Sequence, residues 1–193
     1  MLTLLLDSSN KRLDVGLAND QKIIDQIGYE AWQQQSEKMI PELDNLFARN
    51  HITRHDIGAI MVGIGPGSYT GVRIALTIAK VMSFALNIPI YGISSLRLLK
   101  IGEQPTICLM NARSNRSYIG VYQGQKTLLN DRIFTNAEVL SFIKERPEYL
   151  LSGDLDYLGL SGEKNNVLQA MFDLKNHLTP VDALSINPIY LKD

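Results

Sequence analysis

The chain has 193 residues, 45% hydrophobic and 20% charged, with a formal net charge of −1; it can form one globular domain or two small lobes. So nearly neutral a surface argues against strong unaided binding of nucleic acid, whose protein footprints are basic. One cysteine, Cys108, excludes an internal disulfide and suits a reducing cytoplasm, and the lack of a charged-then-apolar leader or of about 18 uncharged apolar residues predicts neither a secretory signal nor a membrane span.

Taken in order, Leu2–Asp7 reads as an apolar strand ending in a carboxylate. A second strand, Asp14–Ala18, turns at Asn19-Asp20 into a third from about Lys22 to Ile27. Met39, Ile40, Leu43, Leu46 and Phe47 then recur at three- and four-residue spacing, which predicts a helix over Ser36–Arg49 with Ser36 as its N-cap. Pro41 falls inside this helix and removes one hydrogen bond near its start. Ala59–Ile64 reads as a buried strand.

The most informative stretch is Gly63-Ile-Gly65-Pro66-Gly67-Ser68-Tyr69-Thr70-Gly71-Val72-Arg73-Ile74. Alternating glycines with a proline exclude strand or helix interior, and the apolar run Val72–Leu86 beyond them is helical in character. Strand, glycine loop and helix N-terminus together form a backbone amide nest suited to a phosphate or carboxylate, although a tight structural turn has the same spelling. The dinucleotide fingerprint fails because Ser68 occupies its last glycine position, and no lysine before Lys80 can serve a P-loop. Pro66 and Thr70 stand where a serine elbow around Ser68 needs glycines.

Along the next helix, Arg73, Thr77, Lys80, Ser83 and Asn87 fall on one narrow stripe into which Leu76 and Phe84 intrude. The rest is apolar: Ile74, Ala75, Ile78, Ala79, Val81, Met82, Ala85 and Leu86. Such a helix is either buried within one lobe or packs on its own sheet while meeting a partner with another side.

A second copy of the opening pattern lies 104 positions on. Thr106–Met110 is an apolar strand ending at Asn111, the counterpart of Asp7; Gly16 maps to Gly120 and Gln21-Lys22 to Gln125-Lys126. Asn136 can cap a helix through Arg146 with Val139, Leu140 and Ile143 inward, and a strand Tyr149–Leu151 comes next. Beyond it lies little more than one helix, around Asn165–Phe172. Two ββ-βαβα lobes in tandem are the pattern of the α/β actin-like (ASKHA, ribonuclease H-like) architecture shared with sugar kinases. The expected division is an N-terminal lobe over 1–100 and a smaller, trimmed C-terminal lobe over 101–193.

The string Gly-Pro-Gly-Ser-Tyr-Thr-Gly-Val-Arg-Ile, its Ala/Leu-rich helix and Ile88-Pro89-Ile90-Tyr91-Gly92-Ile93-Ser94-Ser95-Leu96 closely resemble the bacterial TsaB (YeaZ) family. Leu4-Leu5-Leu6-Asp7-Ser8-Ser9, Ser36-Glu37-Lys38-Met39-Ile40-Pro41 and Pro188-Ile189-Tyr190-Leu191-Lys192 match in the same order. The resemblance implies the actin-like fold and a cytoplasmic, non-catalytic subunit in making threonylcarbamoyladenosine at position 37 of tRNAs reading codons that begin with A. It implies dimerisation with a catalytic TsaD-type paralogue through the two N-terminal-lobe helices, a TsaE-type ATPase in a larger complex, self-association of the isolated chain and only indirect contact with tRNA. The expected interface positions are Met39, Leu43, Phe47, Ile74, Ile78 and Met82. It implies no required cofactor beyond a weak adenine nucleotide near the partner junction, and no membrane. A stand-alone actin-fold ATPase or kinase, or a peptidase-like hydrolase, is the alternative reading.

The expected cleft residues are Asp7, Gly65, Gly67, Ser68, Asn111 and Arg113. In catalytic members of the superfamily an aspartate at the position of Asp7 orients a metal-bound phosphate or water; the alternative is a carboxylate capping its own turn. Asn111 stands where relatives usually carry an aspartate, and an amide is neither base nor charged ligand. Arg113 and Arg116, with Lys11 and Arg12, could line an anionic cleft. His51 and His55 have the helical spacing of a metal pair but lie in an expected loop without the glutamate of the hydrolytic zinc motif. His177 has no evident companion, and neither Ser68 nor Ser94 fits a hydrolase template, so no catalytic residue and no metal ligand is expected.

Overall fold

The computed structural model describes residues 1–191; Lys192 and Asp193, which close the last matching string and the expected second lobe, lie outside the described residues. Strands β1 (Leu2–Asp7), β2 (Arg12–Ala18), β3 (Ile23–Glu30), β4 (Ile57–Gly63) and β5 (Ile90–Ile93) form a sheet in the order β3-β2-β1-β4-β5. β1 pairs antiparallel with β2 and parallel with β4, and β4 pairs parallel with β5. Strands β6 (Thr106–Arg113), β7 (Arg116–Gln123), β8 (Lys126–Thr135) and β9 (Leu150–Gly153) form a second sheet, β8-β7-β6-β9, with the same pairing directions. The second sheet repeats the first without its last strand.

The repeat is topological, with one slip. Gly16 lies opposite Leu5, but Gly120 lies opposite Cys108 rather than Leu109. Arg113, Ser114 and Asn115 all take positive φ, closing β6 onto β7 one residue sooner than the first hairpin closes.

Side-chain alternation in the first sheet explains how its two faces are covered. Leu4, Leu6, Val15, Leu17, Ile60 and Val62 point to a core completed by α1 (Gln35–Arg49) and α2 (Tyr69–Leu86). Leu5, Met61 and Ile93 point the other way, onto Leu168, Met171 and Leu174 of α4 (Val167–Leu174). The expected boundary near residue 100 therefore separates the strands but not the packing. The helix assigned to a 101–193 lobe lies on the first sheet, because its three buried apolar side chains cover a face that would otherwise be bare. In the second sheet Ile107, Leu109, Ile119 and Val121 meet Val139 of α3 (Asn136–Lys144), and the opposite face packs Cys108, Met110 and Tyr122 on Leu96 and Leu99. Cys108 is thus a small buried hydrophobe whose thiol burial pushes well above its ordinary pKa.

Two capping expectations need correction. α1 starts at Gln35, with Gln34 at the cap and no side-chain cap bond, so Ser36 is already in the helix; Pro41 is accommodated without ending it. α3 is capped by Thr135 rather than Asn136, in a reciprocal box with Glu138. On α2 the polar stripe divides, with Arg73, Thr77 and Asn87 exposed. Leu76 and Ser83 are buried, and Ser83 Oγ donates to the Ile88 carbonyl at 2.6 Å. α2 is the one helix among the described residues long and apolar enough to cross a membrane by composition; here its inner stripe covers the first sheet.

Candidate functional site

Two regions concentrate the expected residues: the cleft between the sheets and the outer face of α1 and α2.

The cleft is built where β1 ends. The Asp7 carboxyl is 4% exposed and lies against the backbone of Gly63, where an added Cβ would meet Oδ1 at 2.0 Å. Oδ2 accepts from the Ser9 amide at 3.3 Å and the Ser9 hydroxyl at 3.0 Å, while Oδ1 is buried without a partner. Burial, and secondarily the neighbouring Asp14 charge, push Asp7 up to about 7, against the smaller opposing effect of the Ser9 bonds. Asp14 is held by a two-point pair, Arg12 Nη2 to Oδ1 at 2.9 Å and Nε to Oδ2 at 3.2 Å, which fits only because Gly28 has no side chain there. Asp7 thus caps its own turn through Oδ2.

The glycine loop is spent on close chain approach. A Cβ at Gly67 would lie 2.1 Å from the Ser9 carbonyl oxygen, and one at Gly71 would lie 1.9 Å from that of Ser8. The Ser68 amide donates to Ser9 O at 2.7 Å, the Gly65 amide to Ser95 Oγ at 2.9 Å, and Ser8 Oγ to Gly71 O at 2.7 Å. Ser68 caps α2, its hydroxyl accepting from the Gly71 amide at 3.2 Å. The Gly65 and Ser68 amides are already engaged within the chain, while Gly67, Ser68, Tyr69 and Thr70 border a cavity of the cleft. The loop bolts the first β-turn to α2.

Asp7 and Asn111 line different parts of the cleft. Asn111 and Arg113 border a cavity of about 540 Å³ with Lys11, Tyr69 and Trp32. Asp7 borders one of about 860 Å³ with Asp14, Ser95 and Ser152. The two share Ser9, Lys11, Asp154 and Asp156. Asn111 turns back on its own hairpin, Oδ1 accepting from the Arg113 amide at 2.8 Å. Sequence reasoning missed Asp154, which meets Lys11 Nζ at 3.6 Å from the turn after β9; no motif marks it, because only the parallel pairing of β6 and β9 brings it there. Among the described residues no group of three or more His, Cys, Asp or Glu is placed to hold a metal ion. His51, with φ of 53°, and His55, in a short 3₁₀ turn, both lie past the end of α1.

The outer face differs in kind. Between α1 and α2 runs a groove of about 640 Å³ lined by Ile40, Phe47, Ile78, Val81 and Met82 over a floor of Leu43. Of the expected interface positions, Phe47, Ile74, Ile78 and Met82 are half-buried, whereas Met39 and Leu43, at 0% and 4% exposure, belong to the core. The side chains offered outward are others: Ile40 at 50%, Val81 at 61% and Phe84 at 66%. A three- to four-residue period identifies a helix's apolar arc but not which edge of it the sheet covers, so it does not single out Ile40, Val81 and Phe84.

This paired topology, with two ββ-βαβ sheets facing a cleft at the ends of their first strands, is that of the actin-like, ribonuclease H-like proteins. The structure titled "YeaZ from Pseudomonas aeruginosa" superimposes with a TM-score of 0.81 at 20% identity, covering 98% of this chain and 99% of that one. Residues 23–179 match the family described as "TsaD: tRNA N6-adenosine threonylcarbamoyltransferase". A "tRNA threonylcarbamoyladenosine biosynthesis protein TsaB" of Bacillus subtilis (strain 168) is 32% identical over 164 residues, spanning 80% of this chain and 72% of the relative. Another of that description, from Buchnera aphidicola subsp. Schizaphis graminum (strain Sg), is 29% identical, spanning 74% and 69%. The chain belongs to the TsaB (YeaZ) family.

Proposed function

We propose that this protein acts in tRNA threonylcarbamoyladenosine biosynthesis as a cytoplasmic, non-catalytic subunit that pairs with a TsaD-type catalytic paralogue through the outer face of α1 and α2. The observation that carries the reading is the apolar groove bordered by Ile40 and Val81, with Phe84 exposed a turn further along α2, an arrangement a monomer has no reason to keep in water. The cleft supports it from the other side. Asp7 is buried, bonded to its own turn and raised toward neutrality, and Asn111 is an amide turned onto its own hairpin. Threonylcarbamoyl transfer to adenosine 37 of tRNAs reading A-starting codons is then the paralogue's chemistry. This chain positions that subunit, a TsaE-type ATPase joins the larger assembly, and tRNA is held indirectly, in keeping with a net charge of −1. No cofactor is required for this role; an adenine nucleotide near the partner junction would meet Lys11 and Arg113 in the cavity that Gly67 and Ser68 also line.

The test is Val81→Glu. Burying an unpaired charge in an interface costs several kcal/mol, whereas Val81 is exposed in the monomer. The variant should melt like wild type, fail to co-elute with the paralogue, and fail to restore modified adenosine in tRNA hydrolysates from cells lacking the protein. A folded variant that still pairs and complements would sink the reading, as would ATP turnover by the isolated chain that disappears in Asp7→Ala.

A further inference from the structure

At the cleft end of α2 an exposed cation is held rigidly on the same stripe as the apolar residues. The Arg73 guanidinium lies 4.0 Å from the ring centroid of Tyr69 and 5.7 Å from that of Tyr190. Its Nε donates to the Tyr190 hydroxyl at 2.6 Å, and the two rings stack at 5.7 Å and 27°. Tyr190 is brought there by the C-terminal segment, which is fastened along the fold. Val181 bridges Ile90, Lys80 Nζ donates to the carbonyls of Leu184 and Ile186, and the Ile189 amide donates to Ile64 O at 2.7 Å. Arg73, Thr77, Val81 and Phe84 succeed one another at four-, four- and three-residue intervals, so they share one exposed face of the helix.

Charge on this face is unbalanced. α2 has no acidic residue, and its other cation, Lys80, is taken up by backbone carbonyls of the C-terminal segment. Stacking and the Nε bond fix the plane of Arg73 while its terminal nitrogens stay at the surface. A guanidinium with its rotamers already restricted loses little entropy on pairing and presents a fork matched to a carboxylate. Tyrosine and arginine beside an apolar patch are also the side chains that most often anchor interfaces.

We propose that the Tyr69–Arg73–Tyr190 cluster is a preformed receptor for one carboxylate side chain of the protein partner that covers α2, and that it fixes the partner's register along the helix. This rests on the paralogue-docking reading and adds to it a specificity-determining residue and a role for the C-terminal segment. A nucleic-acid phosphate would also suit a guanidinium. The apolar stripe continuing from Arg73 to Phe84 and the net charge of −1 favour a protein carboxylate.

The experiment measures binding of the full chain to the TsaD-type paralogue of the same organism by titration calorimetry, with Val81→Glu as reference. Arg73→Ala should fold as wild type and bind about 30-fold more weakly, the loss typical of an interface anchor. Arg73→Lys, which keeps the charge but not the fork, should recover only part of this. Tyr190→Phe, which keeps the ring but releases Nε, should weaken binding by about 5-fold. One Asp or Glu of the paralogue, changed to Lys, should restore pairing to Arg73→Glu. If Val81→Glu abolishes pairing while Arg73→Ala binds as wild type, the carboxylate receptor is wrong and the docking face stands. If Val81→Glu also binds as wild type, the docking reading itself fails. Loss of tRNA retention or of self-association in Arg73→Ala, with paralogue affinity unchanged, would likewise overturn the proposal in favour of a phosphate or a second copy.

Discussion

The cleft and the outer face of α1 and α2 are satisfied in opposite ways. On the cleft side, polar groups are numerous and mostly consumed by the chain. Ser8, Ser9, Ser68 and Ser95 bond to the glycine loop and the first turn, and Arg12 neutralises Asp14. On the helix side, polar groups are few and apolar side chains are left over, with Val81 and Phe84 more than 60% exposed. The cleft keeps its cavities and one unpartnered carboxylate oxygen, Asp7 Oδ1, amid these bonds, whereas the helix pair keeps a groove that is mainly apolar. The contrast is one of chemistry: polar groups are left over in the cleft and apolar ones on the helix pair.

The sharpest way to break this contrast is to loosen the cleft. Gly71→Ala places a methyl 1.9 Å from the Ser8 carbonyl oxygen, a backbone atom that cannot step aside, and should cost more than about 4 kcal/mol by forcing α2 off the first turn. Urea denaturation measures this directly; near-wild-type stability would show that the loop is not a bolt. Next in size is Asp7. Its folded pKa of about 7 against 3.8 for the free group means that the folded state holds a proton the unfolded chain has released. The stability this represents is fully present below about pH 4 and is lost as pH rises through 7. Asp7→Asn should therefore match wild type near pH 4 and exceed it at pH 8 by up to about 4 kcal/mol. A variant less stable than wild type at pH 8 would mean that the carboxylate is wanted in its charged form, as a catalytic role requires.

The outer face yields a paired test. Leu43→Ala empties a fully packed site and should cost about 3 kcal/mol. Ile40→Ala, three residues before it and half exposed, should cost less than about 0.5 kcal/mol in the monomer and yet weaken pairing with the paralogue. Equal losses for both would mean that α1 has no outward apolar side.

How far the sequence reveals these faces depends on the range of the interactions. Strand and helix positions derive from local periodicity, and the duplication is visible because Asp7, Gly16 and Gln21-Lys22 recur as Asn111, Gly120 and Gln125-Lys126. The docking of α4 on the first sheet is not visible locally. Leu168, Met171 and Leu174 declare an apolar face, but nothing nearby says which of two sheets it will cover. The same holds for Asp154 and Tyr190, carried to the cleft and to Arg73 by pairings between distant segments. The glycine loop misleads for a related reason. Its spelling shows that backbone must come close to something, and only the fold shows that the something is the Ser8–Ser9 backbone of the same chain.

The smallest effect separates the starts of the two outer helices. α2 begins at the cleft, where the Ser68 hydroxyl accepts from the Gly71 amide while the Ser68 amide is held by Ser9 O. α1 begins on the surface with Gln34 at its cap and no side-chain bond, leaving Ser36 exposed within the first turn. Sequence alone points to Ser36 as a cap, because a hydroxyl residue stands just ahead of an apolar-periodic run. The backbone distinguishes the two serines. Ser68 sits outside the helix at φ −59° and ψ 120° with the Gly71 amide in reach of its hydroxyl, whereas Ser36 is already one residue inside α1. Ser68→Ala should thus lower stability by about 1 kcal/mol, and Ser36→Ala should be neutral or slightly stabilising, because alanine is the better helix former at an interior position. Thermal melts of the two variants side by side resolve the difference. If Ser36→Ala proves the more costly, α1 starts later than described, and Ile40 moves nearer the first turn of the docking face.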